Sequence, residues 1–402
     1  METDIHLFFE EDEIMKKMIS MTLAVAMTMS LLAGCGSSNA GTESASGDTF
    51  KIGGIGPVTG GAAIYGQAVK NGAELAIKEI NEAGGINGYQ IEYNFQDDEM
   101  DNEKAVNAYN TLKDWGMDIL VGAVTSGCCV AVAAESQNDN LFQITPSGSS
   151  VDCINGNENV FQVCFTDPNQ GVGAADYIGQ NNVATKVAVI YDSSDVYSSG
   201  IFAKFKEEAA SQNFEIVSEE AFTADNKTDF SVQLAKAQEA GADLVFLPIY
   251  YSEASLILKQ ADSMGYAPKF FGCDGLDGIL GVENFDQKLA EGVMLLTPFA
   301  ADAKDEATQK FVSAYEAAYG ETPNQFAADA YDAVYVVKAA AEKCEATPAD
   351  SVTDLCDKLK AAMQEISYDG LTGDSMSWSA DGTVNKAPKA MEIKNGAYAL
   401  VQ

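Results

Sequence analysis

With 402 residues, 47% of them hydrophobic, the chain is too long for one compact core, so two domains are expected. The net charge of −36 excludes nucleic acid as a partner, because a protein must neutralise phosphates with a basic surface. The chain has no arginine and one histidine, His6, which removes guanidinium clamps for anions and imidazole-based catalysis, so we expect no enzyme, no metal and no cofactor.

The N-terminal region predicts export. Met15-Lys-Lys17 precedes an apolar run over 18–32, and Leu32-Ala-Gly-Cys35 resembles the bacterial lipobox. We predict a lipoprotein signal peptide over 15–34 and a lipidated Cys35 with a flexible tether over 35–49, which anchors the protein to the outer face of the bacterial cytoplasmic membrane. The alternatives are an uncleaved anchor helix or an ordinary signal. Residues 1–14 are acidic and are interpreted as a mis-called upstream extension.

From Phe50 onward, short apolar runs alternate with segments that have apolar residues at helical spacing. Strands are predicted over 51–55, 91–95, 118–121, 141–145 and 160–165, with helices over 62–83, 103–115 and 130–138. The alternation repeats with strands over 186–191, 215–217, 243–247 and 269–272 and helices over 200–212, 229–240 and 252–264. Helices over 306–319, 325–343 and 351–364 follow, and strand-like segments around Trp378 and over 391–394 end the chain.

This alternation predicts an α/β fold of two similar lobes, each a parallel sheet with helices on both faces, joined by a multi-crossover hinge. The predicted N-terminal lobe combines 50–166 with 298–372. The predicted C-terminal lobe combines 167–297 with 373–402.

Two segments of the first lobe, Val121–Ser126 and Ile144–Ser150, are each interpreted as a strand that runs into a turn rich in hydroxyls and glycine, with a helix to follow. Strand ends of this kind line the ligand crevice of a parallel sheet. Free N–H groups and serine hydroxyls at helix starts can bind a carboxylate. In a chain without arginine they are the main groups that can do so. Helix capping by Ser147 and Ser149 is the structural alternative.

Short motifs keep one order along the chain: Gly56-Pro-Val-Thr-Gly60, Tyr65-Gly66, Gly84-Gly-Ile86, Asp97-Asp98, Thr145-Pro146, Phe165-Thr-Asp167, Tyr197, Phe271-Gly272 and Glu291-Gly292. This order resembles the branched-chain amino-acid-binding proteins, which are type I periplasmic solute-binding proteins of ABC transporters. The resemblance extends from about Phe50 to the C-terminus, and it implies the same two-lobed fold.

The resemblance also implies roles for four polar residues. Ser126, Ser147 and Ser149 would contact the ligand carboxylate through hydroxyl and N–H groups. The Ser147 carbonyl and the Ser149 hydroxyl would also face the ligand ammonium. Asp274 would be the counter-charge of that ammonium, at a position where the family usually has glutamate.

The resemblance further implies aromatic walls of the ligand pocket, formed by Tyr65, Tyr197 and one of Tyr250 and Tyr251. The chain departs from the family at Gln162, where arginine is expected, and at the shorter Asp274.

We therefore predict a solute-binding component of an ABC transporter, a monomer that binds a small branched-chain or aliphatic amino acid between its lobes and delivers it to the permease. One alternative is a receptor of the same fold for an amide, urea or other small non-amino-acid ligand, possibly one that feeds a sensor. The other is an enzyme that uses Asp97 and Asp98 with a metal, for which no recognised ligand spacing exists.

Seven cysteines remain besides Cys35. Cys344 and Cys356 flank a short loop and could form a disulfide between two helices, since export permits disulfides. Buried free thiols are the equal alternative.

Overall fold

The computed structural model describes residues 48–401. The predicted leader over 15–34, His6, Cys35 and nearly all of the tether over 35–49 lie outside the described residues. Within 48–401, no helix combines the length and the apolar character needed to cross a lipid bilayer.

The first sheet has five parallel strands in the order β2-β1-β3-β4-β5. The short strands β3 and β4 are buried along their whole length, as expected for strands covered on both faces by helices. The strands are β1 Phe50–Gly56, β2 Ile91–Asp97, β3 Ile119–Gly122, β4 Phe142–Thr145 and β5 Val160–Gln162, and the helices between them are α1 Ala63–Glu82, α2 Asn102–Trp115 and α3 Ser126–Asp139.

The second sheet has seven strands in the order β12-β11-β10-β9-β8-β6-β7. Its strands are parallel except for β11 and β12, which add an antiparallel edge beside β10. The elements are α4 Asp167–Gln180, β6 Lys186–Asp192, α5 Val196–Ala209, β7 Glu215–Phe222, α6 Ser231–Glu239, β8 Leu244–Leu247, α7 Tyr251–Ser263, β9 Lys269–Gly272, β10 Met294–Thr297, β11 Lys389–Lys394 and β12 Ala397–Leu400.

Three further helices, α8 Glu306–Tyr319, α9 Gln325–Lys343 and α10 Val352–Met363, follow β10 but pack on the first sheet and on α1. Helix α9 approaches α1 closely because Gly72 has no Cβ, and a Cβ there would lie 2.1 Å from the Ala327 carbonyl oxygen. The described chain therefore crosses between the sheets three times, before α4, before α8 and before β11. The predicted fold class, two lobes with mostly parallel sheets and a multi-crossover hinge, is confirmed.

Several local predictions differ from the structure. The strand predicted over 215–217 extends to Phe222, and the one predicted over 160–165 ends at Gln162. Helix α3 begins at Ser126 rather than at 130, and α5 begins at Val196 rather than at 200. The serines and glycines of both first turns are weak helix formers, but tertiary packing overrides that preference. No α-helix follows Ser150, where a short 3₁₀ turn over Val151–Cys153 leads into β5.

Helix α4 was not predicted from the sequence, because it contains Pro168, Gly171, Gly173 and Gly179, residues typical of loops. Proline is tolerated in a first helical turn. A Cβ on Gly171 would lie 2.5 Å from the Ile201 carbonyl oxygen, so this glycine allows α4 to pack closely on α5. The glycine content therefore reflects helix packing.

The strand-like segment predicted around Trp378 forms a single antiparallel bridge with Val384. Trp378 Nε1 donates a hydrogen bond of 2.8 Å to the Gln162 carbonyl oxygen, and Gln162 N donates one of 3.0 Å to the Gly382 carbonyl oxygen. These bonds attach the segment to the first sheet, whereas the sequence analysis assigned residues 373–402 to the second lobe.

All seven cysteines among the described residues are free thiols. Cys344 Sγ lies 3.7 Å from the Ala341 carbonyl oxygen, and Cys356 Sγ lies 3.6 Å from Asn140 Oδ1. Of the two alternatives for Cys344 and Cys356, the structure thus has the free thiols.

Candidate functional site

A cavity lies where the carboxyl ends of strands from both sheets meet. This is the position at which parallel sheets bind ligands, because strand ends leave loops and helix starts facing the crevice. The cavity is lined by Tyr65, Val124, Thr125, Ser126, Ser147, Tyr197, Tyr250, Asp274, Gly275 and Phe326.

One side of the cavity is built from the two predicted turns. Ser126 is the first residue of α3, so the N–H groups of this first turn have no partner within the helix. Ser126 Oγ accepts a hydrogen bond of 3.2 Å from Ser150 N, and Ser147 Oγ donates one of 2.8 Å to the Val124 carbonyl oxygen. The two turns therefore support each other. In the second turn the N–H groups of Ser147, Gly148 and Ser150 already have partners, so the donors that remain on this side include the Ser126 hydroxyl and the N–H groups of the first turn of α3.

Gln162 binds the second turn, Ile144–Ser150, on the side that faces away from the cavity. Its buried Nε2 donates hydrogen bonds of 2.7 Å to the Gly148 carbonyl oxygen and 2.9 Å to the Ser150 carbonyl oxygen. In the sequence Gln162 is recognisable only as a replacement for arginine, so this role was not predicted. A neutral amide supplies both donors without adding a positive charge behind the turn.

Ser149 does not line the cavity surface. It is fully buried, and its hydroxyl has no hydrogen-bond partner within residues 48–401. Its carbonyl oxygen accepts a hydrogen bond of 2.9 Å from Asp167 N. Ser126 and Ser147 thus reach the cavity, and Ser149 lies behind it.

Asp274 lies on the opposite side, in the turn that follows β9. Its side chain is 4% exposed, and Oδ1 accepts a hydrogen bond of 2.7 Å from the Tyr197 hydroxyl. Burial, with a smaller contribution from the negative charge of Asp329, raises the pKa of the Asp274 carboxyl to about 7. Among the described residues no lysine forms an ion pair with Asp274, so its ionised carboxyl would lack a counter-charge unless a cation enters the cavity.

Four aromatic rings form the remaining walls. Tyr197 and Tyr250 stack with ring centroids 4.9 Å apart, and Tyr65 meets Tyr250 edge to face at 5.6 Å. Phe326, at the start of α9, lies 4.3 Å from the Tyr65 ring. Sequence reasoning missed Phe326 because it is part of an ordinary apolar helix pattern. Such rings enclose apolar groups and exclude water from the polar ends of the cavity.

Tyr251 does not line the cavity. Its hydroxyl accepts a hydrogen bond of 3.2 Å from Ile64 N, and its ring packs edge-on against Tyr65 at 4.8 Å. The next residue, Ser252, donates a hydrogen bond to the Gly61 carbonyl oxygen. Of the two predicted candidates, Tyr250 therefore lines the cavity, while Tyr251 joins the start of α1 to the start of α7.

The arrangement suits a small zwitterion. Hydroxyls and N–H groups on one side can bind an anionic group without arginine, and the buried Asp274 on the other can pair a cation. The aromatic rings between them supply apolar walls. No group of three metal-ligating side chains occurs in the part of the chain that the structure describes.

A family model described as periplasmic binding protein matches residues 49–397. The chain belongs to this family. The resemblance inferred from the motif order is thereby confirmed, and relatives of this periplasmic binding protein include leucine-, isoleucine- and valine-binding proteins.

Leu/Ile/Val-binding protein homolog 3 of Brucella melitensis is 33% identical over 313 residues, which are 76% of this chain and 82% of that protein. The leucine-, isoleucine-, valine-, threonine- and alanine-binding protein of Pseudomonas aeruginosa is 29% identical over 329 residues, which are 81% and 85% of the two chains. This periplasmic binding protein thus aligns with relatives over most of their length.

Solved structures share its fold. The branched-chain amino acid transporter substrate-binding protein LivJ of Streptococcus pneumoniae, in complex with isoleucine, superposes with a TM-score of 0.79 at 32% identity, over 88% of this chain and 99% of the other. A Rhodopseudomonas palustris solute-binding protein in complex with benzoate has a TM-score of 0.77 at 22% identity, over 88% and 95%, and shows the fold alone.

Proposed function

We propose that this chain is an extracytoplasmic receptor that binds a small aliphatic or branched-chain amino acid in the cavity between its lobes. The observation that carries the proposal is that Asp274, buried and without a lysine partner among residues 48–401, lies across the cavity from the hydroxyl-rich turns around Ser126 and Ser147. A zwitterion satisfies both ends at once, because its ammonium neutralises the carboxylate and its carboxylate accepts from the turns.

The comparisons support an amino-acid ligand. The Streptococcus protein holds isoleucine, and the Brucella and Pseudomonas proteins carry leucine, isoleucine and valine in their names. The Streptococcus protein is named as the substrate-binding protein of a branched-chain amino acid transporter, so we propose that this receptor delivers its amino acid to an ABC permease. Lobe closure around the ligand would shift an open–closed equilibrium toward the form that the permease recognises.

Ligand-induced stabilisation tests the proposal. Residues 36–402 are heated with L-leucine, L-isoleucine, L-valine, L-alanine or L-threonine, and melting is followed by fluorescence. A ligand at about 100 times its Kd adds roughly 2.7 kcal/mol to the free energy of unfolding, which raises Tm by several degrees.

Benzoate and 4-methylpentanoate, which is leucine without its ammonium group, serve as matched controls and are expected to leave Tm unchanged. A shift with benzoate or an amide and with none of the amino acids would favour the alternative receptor for a non-amino-acid ligand. Isothermal titration calorimetry with each compound that raises Tm then gives its Kd.

The membrane anchor is a separate part of the proposal, because Cys35 lies outside the described residues. Acyl chains on Cys35 would hold the exported protein at the membrane through burial of their CH₂ groups. The protein expressed with its leader is expected in the membrane fraction, and Cys35→Ala is expected to move most of it to the soluble exported fraction. A Cys35→Ala protein that stays with the membrane would rule out lipidation at this residue.

A further inference from the structure

Two helices meet across the ligand crevice, and neither has a side-chain cap of its own. Helix α1 packs on the first sheet, and its N-cap residue Ala62 makes no capping hydrogen bond with its side chain. Helix α7 follows β8 of the second sheet, and its N-cap residue Tyr250 makes none either. The first N–H groups of a helix have no acceptor within the helix, so each must find one elsewhere.

Each of these two helices receives an acceptor from the other. Ile64 N, in the first turn of α1, donates a hydrogen bond of 3.2 Å to the Tyr251 hydroxyl. Tyr251 N, the first N–H group of α7, donates one of 3.2 Å to the Tyr65 hydroxyl. The two tyrosine rings pack edge to face with centroids 4.8 Å apart. The two tyrosine hydroxyls therefore form reciprocal caps, in place of the serine, threonine, aspartate or asparagine that usually caps a helix.

Further contacts between the two sides surround the reciprocal caps. The Ser252 hydroxyl donates a hydrogen bond to the Gly61 carbonyl oxygen. Ile64 packs on the backbone that follows β9, where a Cβ on Gly278 would lie 3.0 Å from Ile64 Cγ2. The contact region therefore extends from the cavity wall at Tyr65 to the exposed Gly61 at the surface.

The reciprocal caps are also connected to the cavity. The Tyr65 hydroxyl donates a hydrogen bond to the Gly275 carbonyl oxygen, and Gly275 N donates one of 2.9 Å to the Tyr197 hydroxyl. The Tyr197 hydroxyl in turn donates to Asp274. Tyr251 itself does not line the cavity. Its hydroxyl can therefore act on a bound ligand only through the position of one lobe relative to the other.

We propose that Tyr251 is a positioning residue that stabilises the closed arrangement of the two lobes and thereby slows the release of the ligand. The proposal rests on the amino-acid-binding function proposed above. The reciprocal caps form only while the starts of α1 and α7 meet, whereas in an open crevice both helix starts would face water. Interactions made in only one of two conformations shift the equilibrium toward that conformation. Because the ligand leaves from the open form, a weaker cap raises the dissociation rate koff of every ligand by the same factor.

The variant Tyr251→Phe tests the proposal, because it keeps the ring and removes only the acceptor of Ile64 N. Loss of a helix cap corresponds to about a fivefold change in an equilibrium constant. The koff of L-leucine, measured by stopped-flow fluorescence, is therefore expected to rise about fivefold, and by the same factor for L-isoleucine and L-valine. A residue that contacted the ligand side chain would instead change koff by a different factor for each amino acid.

The matched control Tyr266→Phe separates lobe closure from a general loss of stability. The buried Tyr266 hydroxyl donates a hydrogen bond of 3.0 Å to the Ala242 carbonyl oxygen, and both residues belong to the elements around the second sheet. Tyr266→Phe is expected to lower Tm about as much as Tyr251→Phe does and to leave koff unchanged. An unchanged koff in Tyr251→Phe, a factor that differs between amino acids, or an equal rise in Tyr266→Phe would overturn the inference.

A cross-linking experiment tests the contact between the helices without a ligand. A Cβ on Gly61 would lie 3.9 Å from Ser252 Oγ, so the double variant Gly61→Cys, Ser252→Cys places two thiols within disulfide reach in the closed form. Treated with oxidised glutathione, this variant is expected to form the disulfide, and to form it faster with L-leucine present. The control Gly61→Cys, Ser263→Cys places the second thiol at the far end of α7 and is expected not to cross-link.

The two experiments fail in different ways. A Gly61→Cys, Ser252→Cys variant that does not cross-link would overturn the contact between α1 and α7 and the inference with it, while amino-acid binding by the wild type could stand. A wild-type protein that binds no amino acid would overturn the proposed function, whereas cross-linking would still support the contact between the two helices.

Discussion

Asp274→Asn is expected to raise the Kd for L-leucine roughly 150- to 5000-fold. The carboxylate is 4% exposed and has no lysine partner in the described chain, so the ligand ammonium would be its counter-charge. Removing one member of a buried, hydrogen-bonded charge pair costs roughly 3–5 kcal/mol, because the other charge is left desolvated and unpaired. Asparagine keeps the size of the side chain and can still accept from the Tyr197 hydroxyl, so the variant isolates the charge. Isothermal titration calorimetry at a pH above about 7 measures this change in Kd.

The compound 4-methylpentanoate provides the complementary control, because it lacks the ammonium group. Wild type is expected to bind 4-methylpentanoate poorly, since Asp274 would repel its carboxylate or remain unpaired. In Asp274→Asn the difference in Kd between leucine and 4-methylpentanoate is expected to be smaller. Asp98→Asn removes another buried carboxyl, one that does not line the cavity, and serves as the matched control. Its leucine binding is expected to equal that of the wild type. Leucine binding by Asp274→Asn with wild-type affinity would refute the assignment of this carboxylate to the ammonium.

Lys386→Met is expected to lower the free energy of unfolding by about 3–5 kcal/mol, because it leaves Asp329 buried without its partner. Lys386 and Asp329 form an ion pair of 2.8 Å with side chains 1% and 3% exposed, and Lys386 Nζ also donates to Thr372 Oγ1 at 2.5 Å. This pair joins the last crossover to α9. Urea denaturation measures the loss as a lower midpoint with an unchanged slope.

Two comparisons make the ion-pair prediction specific. The control Lys338→Met removes a partly exposed pair with Glu342 on the same helix and is expected to cost less than about 0.5 kcal/mol. Lys386→Met combined with Asp329→Leu is expected to recover most of the lost stability, since an apolar pair of similar volume avoids the desolvation of two charges. A single Lys386→Met variant as stable as wild type would show that this pair does not stabilise the hinge.

The pH dependence of Lys386→Met follows from the same burial. Burial raises the pKa of Asp329, and the positive charge of Lys386 opposes that shift. Without Lys386 the folded-state pKa rises further above the unfolded value, so stability relative to wild type is lost as pH increases and recovered as Asp329 becomes protonated at lower pH. The destabilisation is therefore expected to be smallest in acid.

Most regular elements were predictable because parallel strands buried on both faces appear as continuous apolar runs. The strand at Lys269–Gly272 and the helices at Glu306–Tyr319 and Gln325–Lys343 have the predicted bounds. Helix α4 and strands β10 and β12 were missed, because glycines that permit close helix packing and four-residue strands carry little local signal. Propensity is a weak guide where tertiary contacts decide the conformation.

The site residues likewise divide into those that could be predicted from the sequence and those that could not. Motif order pointed to Ser126, Ser147, Tyr65, Tyr197 and Asp274, and the structure brings all five to one cavity. Their roles toward a ligand stay predictions, which the titrations above test. Phe326 could not be identified in advance, because the wall that it forms depends on how α9 packs against α1.

By itself, the sequence determined the alternating α/β order, the absence of arginine and of histidine beyond His6, and thus the need to bind an anion through hydroxyls and N–H groups. These are properties of composition and local pattern, which do not depend on distant contacts. Only the tertiary structure decided that Ser149 lies behind the cavity, that Tyr250 rather than Tyr251 lines it, and that the Tyr251 hydroxyl caps the start of α1. Those arrangements depend on how the two sheets and the first turns of α1 and α7 meet, and contacts between residues far apart in the chain leave no local pattern to read.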